Sequence, residues 1–315
     1  MSFTEGAETV VNQCLDVKSG ETVLVLNDGN DENLIEAILE SAREKASIVA
    51  LKQYEEPDNH GEEPPQEIAD AMKDFDVVIA PTLKSISHTD ARKEACESGA
   101  RIATMPGINQ EIWNSSLQAD YDRVAEISEK VYSMLEDTEE VRIETPSGTD
   151  FKFSIDIEYF HTDTGLIHKS GGFGNLPAGE ADGGITDAEG TLVVDHFPFA
   201  PSGTEIEVKE NKAVAVREEK KTELSEAFDS IEGARTVAEF GFGTNPEASL
   251  IGKVLQDEKA LGTVHIAFGD NTSYISGEEA NNCSIHWDTV CENPTVWFDG
   301  EKVLENGEPL FLDKA

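Results

Sequence analysis

Apolar residues recur at Ala7, Val10, Val11, Cys14 and Leu15, the spacing of one face of a helix that ends near Lys18-Ser19-Gly20. An apolar run at Val23–Leu26, a turn at Asn27-Asp28-Gly29-Asn30, an amphipathic stretch from about residue 32 to 45 and a second apolar run at Ile48–Leu51 predict a β-α-β unit with parallel strands. The alternation continues through a polar, Pro-rich loop at 55–66, a short helix over 66–73, the buried-strand pattern DVVIAPT, a helix near 88–98 closed by Gly99, and the strand RIATMPG. Such alternation predicts an open, doubly wound parallel sheet. Helical spacing at Tyr121, Val124, Ile127, Val131 and Leu135 then predicts a connector. Beyond it the texture changes to short alternating strands (VRIETP, DFKFSID, GTLVVDHF, TEIEVKE, KAVAVRE) and a helix near 223–228. The chain reads as α/β: an N-terminal doubly wound, Rossmann-like domain over residues 1–140 and a C-terminal α+β domain over 141–315, which carries the candidate metal site.

That site rests on period-2 faces. In the run 263–268, Val264, Ile266 and Phe268 share one face while Thr263, His265 and Ala267 share the other. In 283–290, Cys283, Ile285 and Trp287 oppose Ser284, His286 and Asp288. Two imidazoles and a carboxylate on faces opposite their apolar neighbours form a donor set for a first-row divalent metal. In TVAEFGFG, Ala238, Phe240 and Phe242 oppose Val237, Glu239 and Gly241, so Glu239 lines a cavity beside a residue with no side chain. Glu180 lies in SGGFGNLPAGEADGG, read as a glycine-rich loop; without Lys or GK[ST] it is not a Walker-type phosphate site. The turn at 27–30 lacks GxGxxG, which argues against dinucleotide binding. His60 and His88 read as solvated surface residues.

Charge adds a constraint. Among 315 residues, 24 Lys+Arg against 64 Asp+Glu give a net charge of −40, spread along the whole chain. With regular periodicity retained, a diffuse acidic coat predicts a folded, halophilic protein whose self-repulsion is screened by molar salt. It disfavours nucleic acid and membrane surfaces as partners. Cys14, Cys96, Cys283 and Cys291 have no CxxC spacing and read as reduced thiols of a cytoplasmic protein. No basic, apolar leader and no run of 18 apolar residues is present.

The segments NLPAGE, AEFGFGTNP, DEKALGTVHIAFGDN, SIHWD and PTVWFDG, in that order, resemble the thermophilic metallo-aminopeptidase family (aminopeptidases T and S, and an archaeal leucyl aminopeptidase-like branch). The same superfamily includes 2,5-dihydroxypyridine 5,6-dioxygenase. The resemblance covers most of residues 170–310. It implies that Glu180, Glu239, His265, His286 and Asp288 bind two divalent ions (Zn, Co or Mn), that Glu180 and Glu239 are the catalytic carboxylates, that the substrate is a small peptide, and that the chain forms a homodimer. It also implies an alternative: His265, His286 and Asp288 alone match the Fe(II) triad of the dioxygenase. One departure stands out. Where the peptidases carry a tyrosine seven residues after the first histidine, this chain has Thr272, and its nearest phenol is Tyr274. The reading is therefore a two-metal aminopeptidase first, a mononuclear iron ring-cleaving dioxygenase second, and a binding module without catalysis third.

Overall fold

The computed structural model describes residues 3–312. The chain begins with α1 (Thr4–Glu8), a π-helical turn at Thr9–Cys14, β1 (Thr22–Asn27), α2 (Glu32–Arg43), β2 (Ile48–Gln53), α3 (Gln66–Lys73) and β3 (Val77–Ala80). It continues through α4 (Asp90–Glu97), β4 (Arg101–Thr104), α5 (Gln110–Trp113), α6 (Tyr121–Leu135), β5 (Glu140–Glu144), β6 (Asp150–Asp163), β7 (Phe173–Asn175) and β8 (Glu180–Val193). The rest is β9 (Glu205–Lys209), β10 (Lys212–Arg217), α7 (Glu223–Ser230), β11 (Val237–Gly243), α8 (Val254–Asp257), β12 (Val264–Gly269), β13 (His286–Cys291), β14 (Thr295–Phe298), β15 (Glu301–Glu305) and β16 (Glu308–Pro309).

Two compact units result, one comprising the chain up to Ala125 with Thr164–Ala178, the other Glu126–Asp163 with the chain from Gly179 onward. The sequence pattern places a single division near residue 140; in the structure the division falls within α6, and the segment carrying β7 returns to the first unit. The first unit holds a five-stranded parallel sheet in the order β2-β1-β3-β4-β7. Central strands β3 and β4 are buried at every residue, while edge strand β2 leaves Ile48 57% exposed. This is how a continuous apolar run differs from an edge strand of similar composition. The acidic turn after β1 is structural: Asp28 is buried and accepts hydrogen bonds from the amides of Leu83 (2.6 Å) and Lys84 (3.0 Å).

The second unit holds an eleven-stranded sheet whose main path is β13-β12-β11-β8-β6-β5-β14-β15-β16, with β9 and β10 attached beside β8. Phe153, Phe240, Phe242, Val264, Ile266 and Phe268 meet in its core cluster. The fold is thus mixed α/β, a parallel sheet followed by a larger antiparallel one.

Three local readings change. EADGG is the start of the 14-residue strand β8 and not loop; its glycines are needed because a Cβ on Gly183 would lie 2.5 Å from the Phe160 ring. A register shift between Val237 and Glu239 turns Val237 into the core instead of onto the Glu239 face. Strand β13 starts at His286, because residues 283–285 are held by Asp270: its carboxylate accepts the Cys283 amide (3.0 Å) and its own N–H donates to the Ile285 carbonyl (2.7 Å).

Candidate metal centre

Every residue of the candidate site belongs to the second unit. Strands β8, β11, β12 and β13 lie side by side and antiparallel, and their register builds two rows on one face. Gly184, Glu239, Ala267 and Asp288 stand in one row; Asp182, Gly241 and His265 stand in the next, extended by His161 on β6. Because side chains alternate, the opposite face of β11 and β12 is the phenylalanine-rich core, and small residues floor the site between its charged ones. Gly241 is required sterically. A Cβ there would lie 2.0 Å from Cε1 and 2.2 Å from Nε2 of His265, whose ring lies across the bare backbone.

The five residues expected from the sequence all reach this face. Glu239, His265 and Asp288 present ligand atoms within 4.8 Å of one another. His265 Nε2 is 3.3 Å from Glu239 Oε1 and 3.7 Å from Glu180 Oε2. His286, with its side chain 32% exposed, forms the open edge, its Nε2 lying 2.8 Å from Glu239 Oε2 and 3.4 Å from Asp288 Oδ1. Glu180 sits apart from the others in one respect: it forms a buried ion pair with Lys259. The ammonium also reaches Glu258 Oε1 at 3.1 Å. The turn carrying Lys259 is pinned by the Asn245 amide on its carbonyl (2.9 Å) and by Asp257, whose carboxylate accepts the amides of Ile251 (2.7 Å) and Gly252 (2.9 Å).

Electrostatics follow from burial and crowding. Burial alone would depress His265, but its contact with Glu239 and the charges of Glu180, Glu239 and Asp288 raise it to about 10. His286 is likewise raised, against burial, by Asp288 and Glu239. Burial would raise Glu239 and Asp288; the two imidazoles hold both below the ordinary carboxylate range. Burial dominates at Asp182, which is raised well above that range, and at Glu258, raised to about 7 despite Lys259. Lys259 is raised well above the usual lysine value because its carboxylate neighbours outweigh its burial.

The donor set fits a divalent cation. Glu180 Oε2, Asp182 Oδ1, Glu239 Oε2 and His265 Nδ1 are buried without a hydrogen-bond partner among the described residues, an unusual concentration of unmatched polar atoms. His286 Nε2 lies 2.8 Å from Glu239 Oε2 as its charged neighbour. His286 Nδ1 lies 2.7 Å from the Asp270 carbonyl, which accepts its N–H, so that loss of the Nε2 proton would expose a lone pair towards the carboxylates. A carbonyl holding the other ring nitrogen in this way is an arrangement that suits a metal-binding histidine.

Sequence reasoning missed Lys259, Asp182, His161 and the placement of Tyr274. Tyr274 donates from its hydroxyl to Asp182 Oδ2 (2.9 Å), whereas Thr272 turns away to Asp270 (2.8 Å). Asp182 had a usable signal, two residues from Glu180 and hence on its face, once EADGG is read as strand. Lys259 had none, since it lies in a turn. His60 and His88 belong to the first unit, outside this site.

The family model for 2,5-dihydroxypyridine 5,6-dioxygenase (NicX) matches residues 2–310. The chain belongs to that family. Among solved structures it is similar to 2,5-dihydroxypyridine dioxygenase from Pseudomonas putida KT2440, with a TM-score of 0.79, 18% identity, and 99% of this chain and 97% of that one covered. It is also similar to AmpT from Thermus thermophilus, with a TM-score of 0.70, 18% identity and 98% of each chain covered. At such identity these likenesses establish the fold alone, a fold shared by both proteins. No curated protein sequence matches the chain. Among the described residues, no helix is long and apolar enough to cross a membrane.

Proposed function

We propose that this chain is a metal-dependent dioxygenase that opens a dihydroxylated, pyridine-type aromatic ring, using a single divalent iron held by His265, His286, Asp288 and Glu239. The observation that carries this reading is Lys259. Its buried ammonium lies against Glu180 and Glu258, so the carboxylate that would complete a second metal site already has a cation. Charge counting agrees. Glu180, Glu239 and Asp288 carry three negative charges, Glu258 adds up to one more, and Lys259 carries one positive, leaving −2 to −3; one dication brings the site to between 0 and −1, and two would bring it to between +2 and +1. Two imidazoles and two carboxylates also leave two positions of an octahedron for substrate and O₂. Bound iron(II) supplies the O₂ activation that ring cleavage requires. The protein's share is orientation: the Asp270 carbonyl fixes His286, Gly241 admits the His265 ring, and Lys259 holds Glu180 in place. Glu258, with its carboxyl raised to about 7, is placed to hold or release a proton near neutral pH. The family match supports the same reaction class.

Two-metal peptide hydrolysis is the second reading. It is favoured by Glu180 Oε2, which is buried, lacks a hydrogen-bond partner among the described residues and lies 3.7 Å from His265 Nε2. The test is anaerobic reconstitution with Fe(II), elemental analysis, and parallel assays of O₂ uptake with 2,5-dihydroxypyridine and of aminoacyl-anilide hydrolysis with Zn, Co or Mn. One ion per chain with O₂ consumption is expected. Two ions per chain with anilide cleavage and no O₂ uptake would overturn the dioxygenase reading.

A further inference from the structure

We propose that Asp182, Tyr274 and His161 form the wall of the site that grips the substrate ring, with Asp182 Oδ1 hydrogen-bonded to a ring hydroxyl or ring N–H. The proposal rests on the ring-cleaving reading above. Asp182 is 2% exposed, and its two oxygens are used unequally. Oδ2 accepts from the Tyr274 hydroxyl at 2.9 Å and lies 3.4 Å from His161 Nε2. Oδ1 is equally buried but has no partner among the described residues. A buried acceptor left unmatched inside an otherwise ordered contact is the signature of a group that a ligand completes.

Its position identifies the ligand's neighbourhood. Asp182 stands in the row with Gly241 and His265, and the His265 ring lies across Gly241, so a group bound to Oδ1 sits beside the metal ligands and not in a separate cavity. The aromatic character comes from the partners. His161 and Tyr274 stack with centroids 5.5 Å apart at 23°, and the His161 side chain is 56% exposed, giving a flat, half-open outer wall. The loop bearing Tyr274 is seated directly on the sheet at Gly184, where a Cβ would lie 3.0 Å from the Tyr274 Cβ and 2.5 Å from Ile275 Cγ1. A flat wall with one free, buried hydrogen-bonding oxygen suits a planar ring carrying a polar substituent. Tyr274 is then a positioning residue: its hydroxyl fixes Oδ2 and so aims Oδ1.

The experiment measures binding apart from turnover. Metal-loaded full-length protein is titrated anaerobically with 2,5-dihydroxypyridine, with benzene-1,4-diol and with L-leucinamide, and metal content and Tm are recorded for each variant. Asp182→Leu keeps the volume and deletes a desolvated acid, so the fold should hold, while affinity for the hydroxylated rings should fall by about tenfold or more. Tyr274→Phe should weaken the same rings by roughly three- to tenfold with metal content unchanged. A loss confined to the pyridine assigns the ring N–H, and a loss for both rings assigns a hydroxyl; either supports the clamp. Unchanged ring affinity in Asp182→Leu, absence of ring binding in the wild type, or a loss confined to L-leucinamide would overturn it. Unchanged ring affinity in Asp182→Leu, with the wild type binding the rings, sinks the clamp alone, whereas absence of ring binding in the wild type sinks the ring-cleaving reading with it.

Discussion

Replacing Lys259 with methionine removes the one buried ammonium that the described residues bring to the site while nearly preserving its volume. The Lys259 side chain is 6% exposed, against 7% for Glu180 and 13% for Glu258, so solvent cannot take over its role. At the 3.1 Å separation from Glu258, one unit-charge attraction is worth about 5 kcal/mol at an effective dielectric of about 20, and Glu180 is at least as near. Breaking such a pair strands a carboxylate, so a net loss of roughly 3–5 kcal/mol is expected in EDTA-treated protein. For a unit of this size that corresponds to a fall of roughly 6–20 °C in Tm. Lys221→Met, at an exposed lysine paired with Asp229, should leave Tm where it was. If the ammonium occupies the place of a second cation, adding divalent metal to Lys259→Met should restore much of the lost Tm and raise stoichiometry from one ion per chain towards two. The assays are calorimetry and elemental analysis of wild type and both variants. Wild type already holding two ions, together with an unshifted Tm in Lys259→Met, would refute the counter-ion argument and with it the main support for one metal.

Gly241→Ala places a methyl 2.0–2.2 Å from the His265 ring, which must swing out; metal content should fall by at least about tenfold at limiting metal, as measured by equilibrium dialysis, while the far-UV spectrum is retained. Metal binding should be steeply pH-dependent, because His265 (raised to about 10) and His286 must shed protons to become ligands: up to about two protons should be released on binding near pH 7.5, read by calorimetry in buffers of different ionisation enthalpy. The sign reverses between the two states. Without metal, His265 contributes stability that is full below pH 6.5 and is lost as pH rises towards about 10, whereas with saturating metal the midpoint should rise with pH over that window.

How much of this was legible in the sequence depended on whether a residue lay on a regular strand. His265 was assigned to the non-core face by Val264, Ile266 and Phe268, and the structure keeps those three in the core. Glu239 followed from Phe240 and Phe242 in the same way, although the bulge at Val237 shows that alternation fails where an extra residue enters the ladder. The parallel sheet was readable because its inner strands are continuous apolar runs, but the return of Phe173–Asn175 to that sheet was not, since three residues carry no period. EADGG was misread for a physical reason: glycine lowers strand propensity, and only the tertiary partners Phe160, Tyr274 and Ile275, which close over Gly183 and Gly184, make it a strand.

The pattern supplied the candidate ligands but not the lysine that bears on how many metal ions they hold. A lysine in a turn of a chain with 64 acids reads as one more solvated charge until the fold encloses it between Glu180 and Glu258. Its burial is the observation on which the one-metal reading proposed above rests. Glu180 and Glu239 are buried, so their charges are best offset by a cation held beside them. An ammonium on a turn pinned by the Asn245 amide and the Asp257 carboxylate satisfies part of that requirement permanently, whereas a second metal ion would satisfy it reversibly and at a pH-dependent cost. On the one-metal reading proposed above, Lys259 limits the number of metal ions without ligating any, and substituting it tests that reading more directly than substituting a ligand.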